Sequence, residues 1–324
     1  MSELPPGGVE ISFVVPVFNE LESVEPLYRE IVAAGEANGL PFEILFVDDG
    51  SRDGSDAALF RLAEADDRVR VASFRRNFGK SAALAVAFAR VRGRLVMTLD
   101  GDLQDDPGEL PAMRATLEER NLDLVSGWKA ARHDPWTKTV PSRLFNAVAG
   151  RVTGARLHDL NCGLKLYRRE VVESLDVYGE LHRFLPALAH LKGFRIGEVP
   201  VRHRARRFGH SKFGAARFVN GFLDLVAVSF IQTSALKPLH VFGRIGLLSG
   251  LAGGAIGLFF LGQWALGEPL RVRPVLILAA VLLILGIQFV SLGLLGELIA
   301  TQHPKTNFPL RAARRWGSSG ADGI

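Results

Sequence analysis

The chain has 324 residues, enough for one domain with a full core and something further. Its single cysteine, Cys162, excludes a disulfide framework and any cysteine-based zinc site, which fits a reducing compartment. A formal net charge of +5, from 39 Lys and Arg against 34 Asp and Glu, is modest for this size, so the placement of charge matters more than its total. Met1 to Gly8 is short and polar, and Ile11 to Phe18 is too brief for a signal's apolar region, so no cleaved targeting segment is expected.

From residue 10 to about 130, short apolar runs alternate with helical patterns. Ile11–Val17, Glu43–Val47, Val69–Phe74, Leu95–Leu99 and Leu122–Ser126 read as strands. Leu21–Ala37, Ser55–Ala65, Ser81–Val91 and Glu109–Arg120 between them carry helical periodicity. Such alternation predicts an α/β domain around a mainly parallel sheet, with ligands bound beyond the carboxyl ends of the strands. Four successive strand ends carry polar, charged or glycine-rich loops: Asn19-Glu20, Asp48-Asp49-Gly50-Ser51, Arg75 to Lys80, and Asp100-Gly101-Asp102. One such loop is ordinary, whereas four on one edge point to a site.

The last of these poses a problem of charge. Val96 to Leu99 runs directly into Asp100, Asp102, Asp105, Asp106 and Glu109, carboxylates that disfavour one another's ionisation unless a cation is present. Part of the cluster suits a turn, with Asp106 as N-cap and Pro107 in a first helical turn, and Asp105 and Glu109 as surface or capping residues. Asp100, Asp102 and Gln104 offer oxygen donors, which suit Mg²⁺ or Mn²⁺ rather than zinc. Mg²⁺ uses one or two carboxylates while substrate phosphates complete its shell.

A helical pattern resumes at Ala215–Thr233, with Phe218, Phe222, Leu225, Val226 and Phe230 as an interfacial face. From Val241 to Leu266 the only charge is Arg244, and Val275 to Leu295 has none. Each run exceeds the roughly 20 residues that cross a bilayer core, which predicts a two-helix transmembrane hairpin. Gly246, Gly250 and Gly254, with Gly253 and Gly257 beside them, follow no strand and read as small-residue helix packing rather than a dinucleotide loop. Lys305, Arg311, Arg314 and Arg315 after the hairpin, and Arg217, Lys237 and Arg244 at its start, place both ends on the cytoplasmic side. Arg271 and Arg273 in the connector reduce the contrast without reversing it.

The motifs Val15-Pro16-Val17-Phe18-Asn19-Glu20, Asp48-Asp49-Gly50-Ser51, Asn77-Phe78-Gly79-Lys80 and Asp100-Gly101-Asp102-Leu103-Gln104 occur in that order. Asp159-Leu-Asn161-Cys-Gly163, His182-Arg183-Phe184-Leu-Pro186 and His203 to Phe213 follow them. The set resembles family 2 glycosyltransferases of the GT-A fold, Rossmann-like and mainly parallel. More narrowly it is similar to polyprenyl-phosphate glycosyltransferases such as dolichyl-phosphate mannose synthase and bacterial undecaprenyl-phosphate glucosyltransferases. The resemblance spans about residues 10 to 236 and divides the chain into a catalytic domain over 1–213, amphipathic juxtamembrane helices over 214–238, two transmembrane helices over 239–302 and a cytoplasmic tail over 303–324.

The resemblance implies roles for single residues. Pro16, Asn19, Glu20, Asp48, Asp49 and Lys80 line the nucleotide-sugar pocket. Asp100, Asp102 and Gln104 hold Mg²⁺ or Mn²⁺ and the donor diphosphate. Arg206, Ser211 and Lys212 lie on a loop against phosphates, with Lys212 stabilising the leaving group. Lys129 and Arg132 contact the acceptor phosphate. That phosphate is mostly dianionic at neutral pH and needs positioning more than deprotonation, so Asp159 either orients a substrate or caps a turn. The implied reaction inverts the anomeric centre and moves a sugar from a nucleoside-diphosphate sugar, a UDP-sugar ahead of GDP-mannose, to a polyprenyl phosphate. The partners implied are the nucleotide sugar, the polyprenyl lipid and the inner (plasma) membrane, with the catalytic domain cytoplasmic; a homo-oligomer is also expected.

Three alternatives are weighed against this. Nucleic acid as partner of the basic cluster Arg202 to Lys212 lacks any recognition motif, whereas phosphate clamping and a juxtamembrane anchor can coexist, with Arg204 as an interchangeable surface cation. A processive polysaccharide synthase of the same fold would carry Gln-x-x-Arg-Trp, and Arg314-Arg315-Trp316 lacks the Gln. A non-catalytic membrane scaffold is opposed by intact Asp100, Asp102 and Lys212.

Overall fold

A computed structural model describes residues 8–129, 150, 153–155, 157–202, 204, 238–267 and 274–302. These fall into two units, one within Met1–Val228 and the other within Ser229–Thr306.

The first unit is a sheet clad in helices. Its strands are β1 (Ile11–Val17), β2 (Phe42–Asp48), β3 (Val69–Ser73), β4 (Leu95–Thr98), β5 (Leu124–Trp128), β6 (Lys165–Arg168) and β7 (Ile196–Pro200). Its helices are α1 (Leu21–Ala37), α2 (Ser55–Ala65), α3 (Lys80–Phe88), α4 (Leu110–Glu119), α5 (Arg169–Ser174) and α6 (Leu185–Leu191). The strand order is β3-β2-β1-β4-β6-β5-β7. All neighbours are parallel except β6, which runs against both β4 and β5. β1, β2 and β4 are covered by helices on both faces: Ile11, Phe13, Ile44, Phe46, Leu95 and Met97 are buried on one, and Val14, Leu45 and Val96 on the other.

The five predicted strands and four predicted helices are present, with shifts at their ends. The last predicted strand starts two residues later, at Leu124, and the last helix of this set is preceded by a 3₁₀ turn, Pro107–Glu109. Asp106 caps that turn as expected, accepting the Gly108 N–H at 2.9 Å. β6 and β7 are additions that periodicity did not indicate.

The two edges of the sheet differ. At the amino ends Glu43 is fully buried and accepts from Ser12 Oγ at 2.6 Å, Arg92 Nε at 2.8 Å and Arg70 at 3.0 Å. Burial opposes its charge, but these bonds outweigh burial and hold its pKa below the usual carboxylate value. At the carboxyl ends the chain opens into the loops described below.

The second unit is a pair of helices, α7 (Pro238–Ala265) and α8 (Pro274–Gln302). Pro238–Ala265 and Pro274–Gly296 are long and apolar enough to cross a membrane, and only 11% of each span is buried. Leu247, Leu258 and Ile287 are each 60% or more exposed, which a soluble core helix would not show. The helices are antiparallel and touch through small residues. A Cβ on Gly246 would lie 2.7 Å from the Gly286 carbonyl, one on Gly253 2.7 Å from the Ala279 carbonyl, and one on Gly286 2.9 Å from Gly250 N. A Cβ on Gly250, Gly254 or Gly257 would meet nothing within 4 Å, although the Gly250 backbone lies against Gly286. The packing stripe is therefore Gly246 and Gly253 against Ala279 and Gly286, with Gly250 contributing only its backbone, and the expected run through Gly254 and Gly257 is corrected. The predicted helix at Ala215–Thr233 and the tail from residue 303 lie outside the described residues.

Candidate active site

The four strand-end loops are tied to one another in sequence order. Asn19, at φ 53°, takes a left-handed turn that Asn tolerates better than most residues. Its N–H donates to Ser51 Oγ at 2.8 Å, and its Oδ1 accepts the Arg52 N–H at 2.8 Å, which locks the β1 loop to the β2 loop. The Glu20 N–H donates to Ser55 Oγ at 3.0 Å in the same way. Asp48 accepts the Ser51 N–H at 3.1 Å and the Ser73 hydroxyl at 2.7 Å. Asp49 accepts the N–H groups of Phe78 at 2.7 Å and Gly79 at 2.9 Å, which binds the β2 loop to the β3 loop. Burial raises the Asp49 pKa despite those bonds. Gly50, at φ 71°, sits so close to Arg76 and Asn77 that a Cβ would be 2.5 Å from the Arg76 backbone. A side chain there would push the two loops apart.

Beyond β4 the carboxylates are distributed between different tasks. Lys80, the first residue of α3, is ion-paired with Asp100. Asp105 Oδ2 accepts the Asp100 N–H at 3.2 Å, and Asp105 Oδ1 lies 3.4 Å from Lys129 Nζ at the end of β5. Burial works against the Asp100 charge, yet Lys80, Lys129 and Lys165 hold its pKa down at about 2. The same burial raises Asp105. Lys80 and Lys129 are raised despite desolvation because carboxylates surround them. Asp105 is 2% exposed, so it is a buried member of the site and not the surface or capping residue expected of it. Glu109 stays at the periphery, accepting the Arg202 N–H at 3.2 Å.

Asp102, Leu103 and Gln104 form a tight turn. Leu103 adopts φ 62°, a costly conformation for a branched side chain, and its burial at 1% offsets the strain. Asp102 Oδ1 accepts the Gln104 N–H at 3.2 Å. Gln104 exchanges bonds with Arg204, its carbonyl accepting the Arg204 N–H at 3.1 Å and its Nε2 donating to the Arg204 carbonyl at 3.4 Å. Arg204 also pairs with Glu30 at 2.6 Å and Asp106 at 2.7 Å. It is thus a structural tie, which corrects the expectation of an interchangeable surface cation.

Gly163 completes the enclosure. Its carbonyl accepts from Thr98 Oγ1 at 2.9 Å, and a Cβ there would lie 2.5 Å from Asp105 Oδ2 and 2.6 Å from Asp100 Cγ. Asp159 is 3% exposed, and its Oδ1 accepts the Asn161 N–H at 3.2 Å, the geometry of a turn cap. Pro16 is packed against the β4 loop, since a Cβ on Gly101 would lie 3.1 Å from its carbonyl. Pro16, Lys80 and Asp100 line one pocket with Asn161, Lys165 and His182. Sequence reasoning missed Asp105, Lys165 and His182 as site residues, although His182 and the segment around Gly163 stood in the motifs. Arg132, Arg206, Ser211 and Lys212 lie outside the described residues.

No group of three or more His, Cys, Asp or Glu among the described residues is arranged to hold a metal. Two carboxylates with oxygen-only chemistry, Asp100 and Asp102, nonetheless suit a hard divalent ion that draws its remaining ligands from phosphates. The chemistry of the donor set fits such an ion, and Gln104 is tied to it through the main-chain N–H that Asp102 accepts.

A mixed sheet with this order, four linked loops at its carboxyl edge and an Asp-Gly-Asp turn after the central strand define a GT-A-like nucleotide-sugar enzyme fold. The chain belongs to glycosyl transferase family 2, whose model matches residues 12–176. Among its relatives, dodecaprenyl-phosphate galacturonate synthase of Rhizobium johnstonii is 40% identical over 305 residues, covering 91% of this chain and 89% of the relative. Undecaprenyl-phosphate 4-deoxy-4-formamido-L-arabinose transferase of Sodalis glossinidius is 38% identical over 296 residues, covering 90% and 88%. The fold is also similar to glucosyl-3-phosphoglycerate synthase of Mycobacterium tuberculosis crystallised with Mn²⁺, UDP and phosphoglyceric acid. That likeness has a TM-score of 0.53 at 20% identity and covers 69% of this chain and 78% of the other.

Proposed function

We propose that this chain is a divalent-metal-dependent glycosyltransferase that inverts the anomeric centre as it moves a sugar from a UDP-sugar to a polyprenyl phosphate at the membrane surface. The observation that carries the reading is the Asp100-Gly101-Asp102 turn, packed against three further strand-end loops in a chain that also has two apolar helices of spanning length. The two polyprenyl-phosphate sugar transferases aligned over nine-tenths of the chain support the acceptor class.

Each residue then has a task. Asp48 and Asp49, fixed by Ser51, Ser73 and the β3 loop, shape the nucleotide pocket with Pro16, Asn19 and Glu20. Asp100, Asp102 and Gln104 hold Mg²⁺ or Mn²⁺, which when bound neutralises charge growing on the leaving diphosphate. Lys80 adds a cation beside Asp100. Lys129, held by Asp105, places positive charge for the acceptor phosphate, with Arg132 as its companion. Arg206, Ser211 and Lys212 serve the donor phosphates. A phosphate acceptor arrives as a nucleophile, so Asp159 positions and does not remove a proton. The catalytic domain, residues 1–213, faces the cytoplasm at the inner membrane, joined through 214–238 to the hairpin and the tail.

The test is incubation of membranes containing the protein with radiolabelled UDP-glucose, UDP-galactose, UDP-glucuronate, UDP-galacturonate, UDP-4-deoxy-4-formamido-L-arabinose and GDP-mannose, followed by lipid extraction. Label from a UDP-sugar in an acid-labile polyprenyl lipid is the expected result. Label in a polymer alone, or in no lipid from any donor, contradicts the reading.

A further inference from the structure

His182 belongs to the pocket behind Asp100, and the reaction as described gives it nothing to do. It stands in a 3₁₀ turn, Leu181–Phe184, against the first turn of α3. Its main-chain N–H donates to Ser81 Oγ at 3.1 Å, and its Nδ1 lies 3.0 Å from the same oxygen. Ser81 is 1% exposed. A hydroxyl has one hydrogen to give. Oγ has a second lone pair, but among the described residues its own hydrogen meets no other acceptor, so the pairing that satisfies both groups has Oγ donating to Nδ1 and the ring's own proton on Nε2.

Burial, helped by Lys80 and Arg183, pushes the imidazole down to about 3, so the ring is neutral at any working pH. The result is a residue bonded twice to one buried hydroxyl, once through its main chain and once through its ring, with a single ring N–H donor left over. The pocket around it has room for about one water-sized polar group, such as a single sugar hydroxyl. Leu84 and Leu185 give it apolar walls, while Asn161 and Lys165 supply polar groups. Lys165 is 3% exposed and bonded to the Cys162 carbonyl, with no carboxylate in ion-pair range among the described residues. In a nucleoside-diphosphate sugar the sugar is bonded to the outer phosphate, so a donor whose diphosphate is held at Asp100 would bring its sugar to the pocket that Asp100 and His182 share.

We infer that His182 reads the donor's sugar, its Nε2–H donating to a sugar oxygen along a direction that Ser81 sets. This rests on the glycosyltransferase reading and adds to it the residue that discriminates between sugars.

The experiment uses purified full-length protein with the six donors above and with UDP as a competitive probe that lacks the sugar. The quantity read is the ratio of kcat/KM for the best donor to that for the next. In His182→Asn, whose amide falls near Nδ1, the ratio drops roughly ten- to hundredfold, the cost of an unmade bond in a buried site. His182→Gln places an N–H near Nε2 and recovers most of it. Ser81→Ala, which leaves the ring but frees it, moves the ratio in the same direction. The inhibition constant for UDP stays unchanged in all three, and melting curves confirm folding. An unchanged ratio in His182→Asn overturns the inference, as does a loss of UDP binding that matches the loss of transfer. If His182→Asn does not fold, a His182→Gln or Ser81→Ala variant that behaves contrary to expectation overturns it equally. A wild type that transfers from none of the donors defeats the glycosyltransferase reading, and this one with it.

Discussion

Asp100 and Asp105 are buried neighbours whose charges oppose one another; Lys80 and Lys129 offset that repulsion, holding Asp100 low while burial keeps Asp105 raised. The arrangement tolerates no extra atom at Gly163, where a Cβ would meet both carboxyl groups. Gly163→Ala is therefore expected to reduce kcat at least tenfold, because the site must shift to admit the methyl group, while the fold survives with a lower melting temperature. Steady-state kinetics and a thermal melt check this, and wild-type turnover would contradict it. A second residue-scale prediction concerns acid stability. Hydrogen bonds from Arg68 overcome burial and hold Asp66 at about 2, below its ordinary value of 3.8. A carboxylate with a depressed folded pKa favours the folded state above 3.8, and that contribution is lost as pH falls toward 2. Urea unfolding between pH 5 and pH 2 should show a shallower acid limb for Asp66→Asn than for wild type. Asp100 and Asp102 were legible in the sequence because an apolar run ended on them. Asp105 was not, since its burial depends on Lys129 and Gly163, both remote in the chain.

At the scale of elements, the first five strands were readable because each pairs an apolar run with a turn signal. β6 was not, because Lys165–Arg168 is four residues long with a cation at each end, and only its place between β4 and β5 buries Lys165. β7 mixes Gly197, Glu198 and Pro200 into five residues, which no periodicity marks. In the hairpin the glycines announced close packing, but several contact registers fit the same run. Their separate roles give a sharp test. Gly246→Leu drives a side chain into the Gly286 carbonyl and should lower the melting temperature in detergent markedly. Gly257→Leu adds apolar surface where nothing lies within 4 Å and should leave stability near wild type. Equal effects, measured by detergent thermal-shift assay, would contradict the assigned stripe.

For the whole molecule, the proposed topology sets residues 1–236 and the tail on one side of the membrane and the connector 268–273 on the other. In a Cys162→Ala background, Lys305→Cys should resist an impermeant maleimide in intact cells and Leu270→Cys should react. The reverse pattern would invert the hairpin. In the proposed reaction Asp100 and Asp102 hold the divalent ion that supports sugar transfer to a polyprenyl phosphate. That role is tested most directly with purified wild type and Asp102→Asn, using undecaprenyl phosphate and the preferred sugar nucleotide while Mn²⁺ or Mg²⁺ is titrated against a chelator. Wild type should form the sugar lipid only when the metal is present. Asp102→Asn should lose about a hundredfold or more of that activity, on the scale of removing one transition-state stabilising group, with an unchanged melt. Full transfer in excess chelator, or a fully active Asp102→Asn, would contradict it.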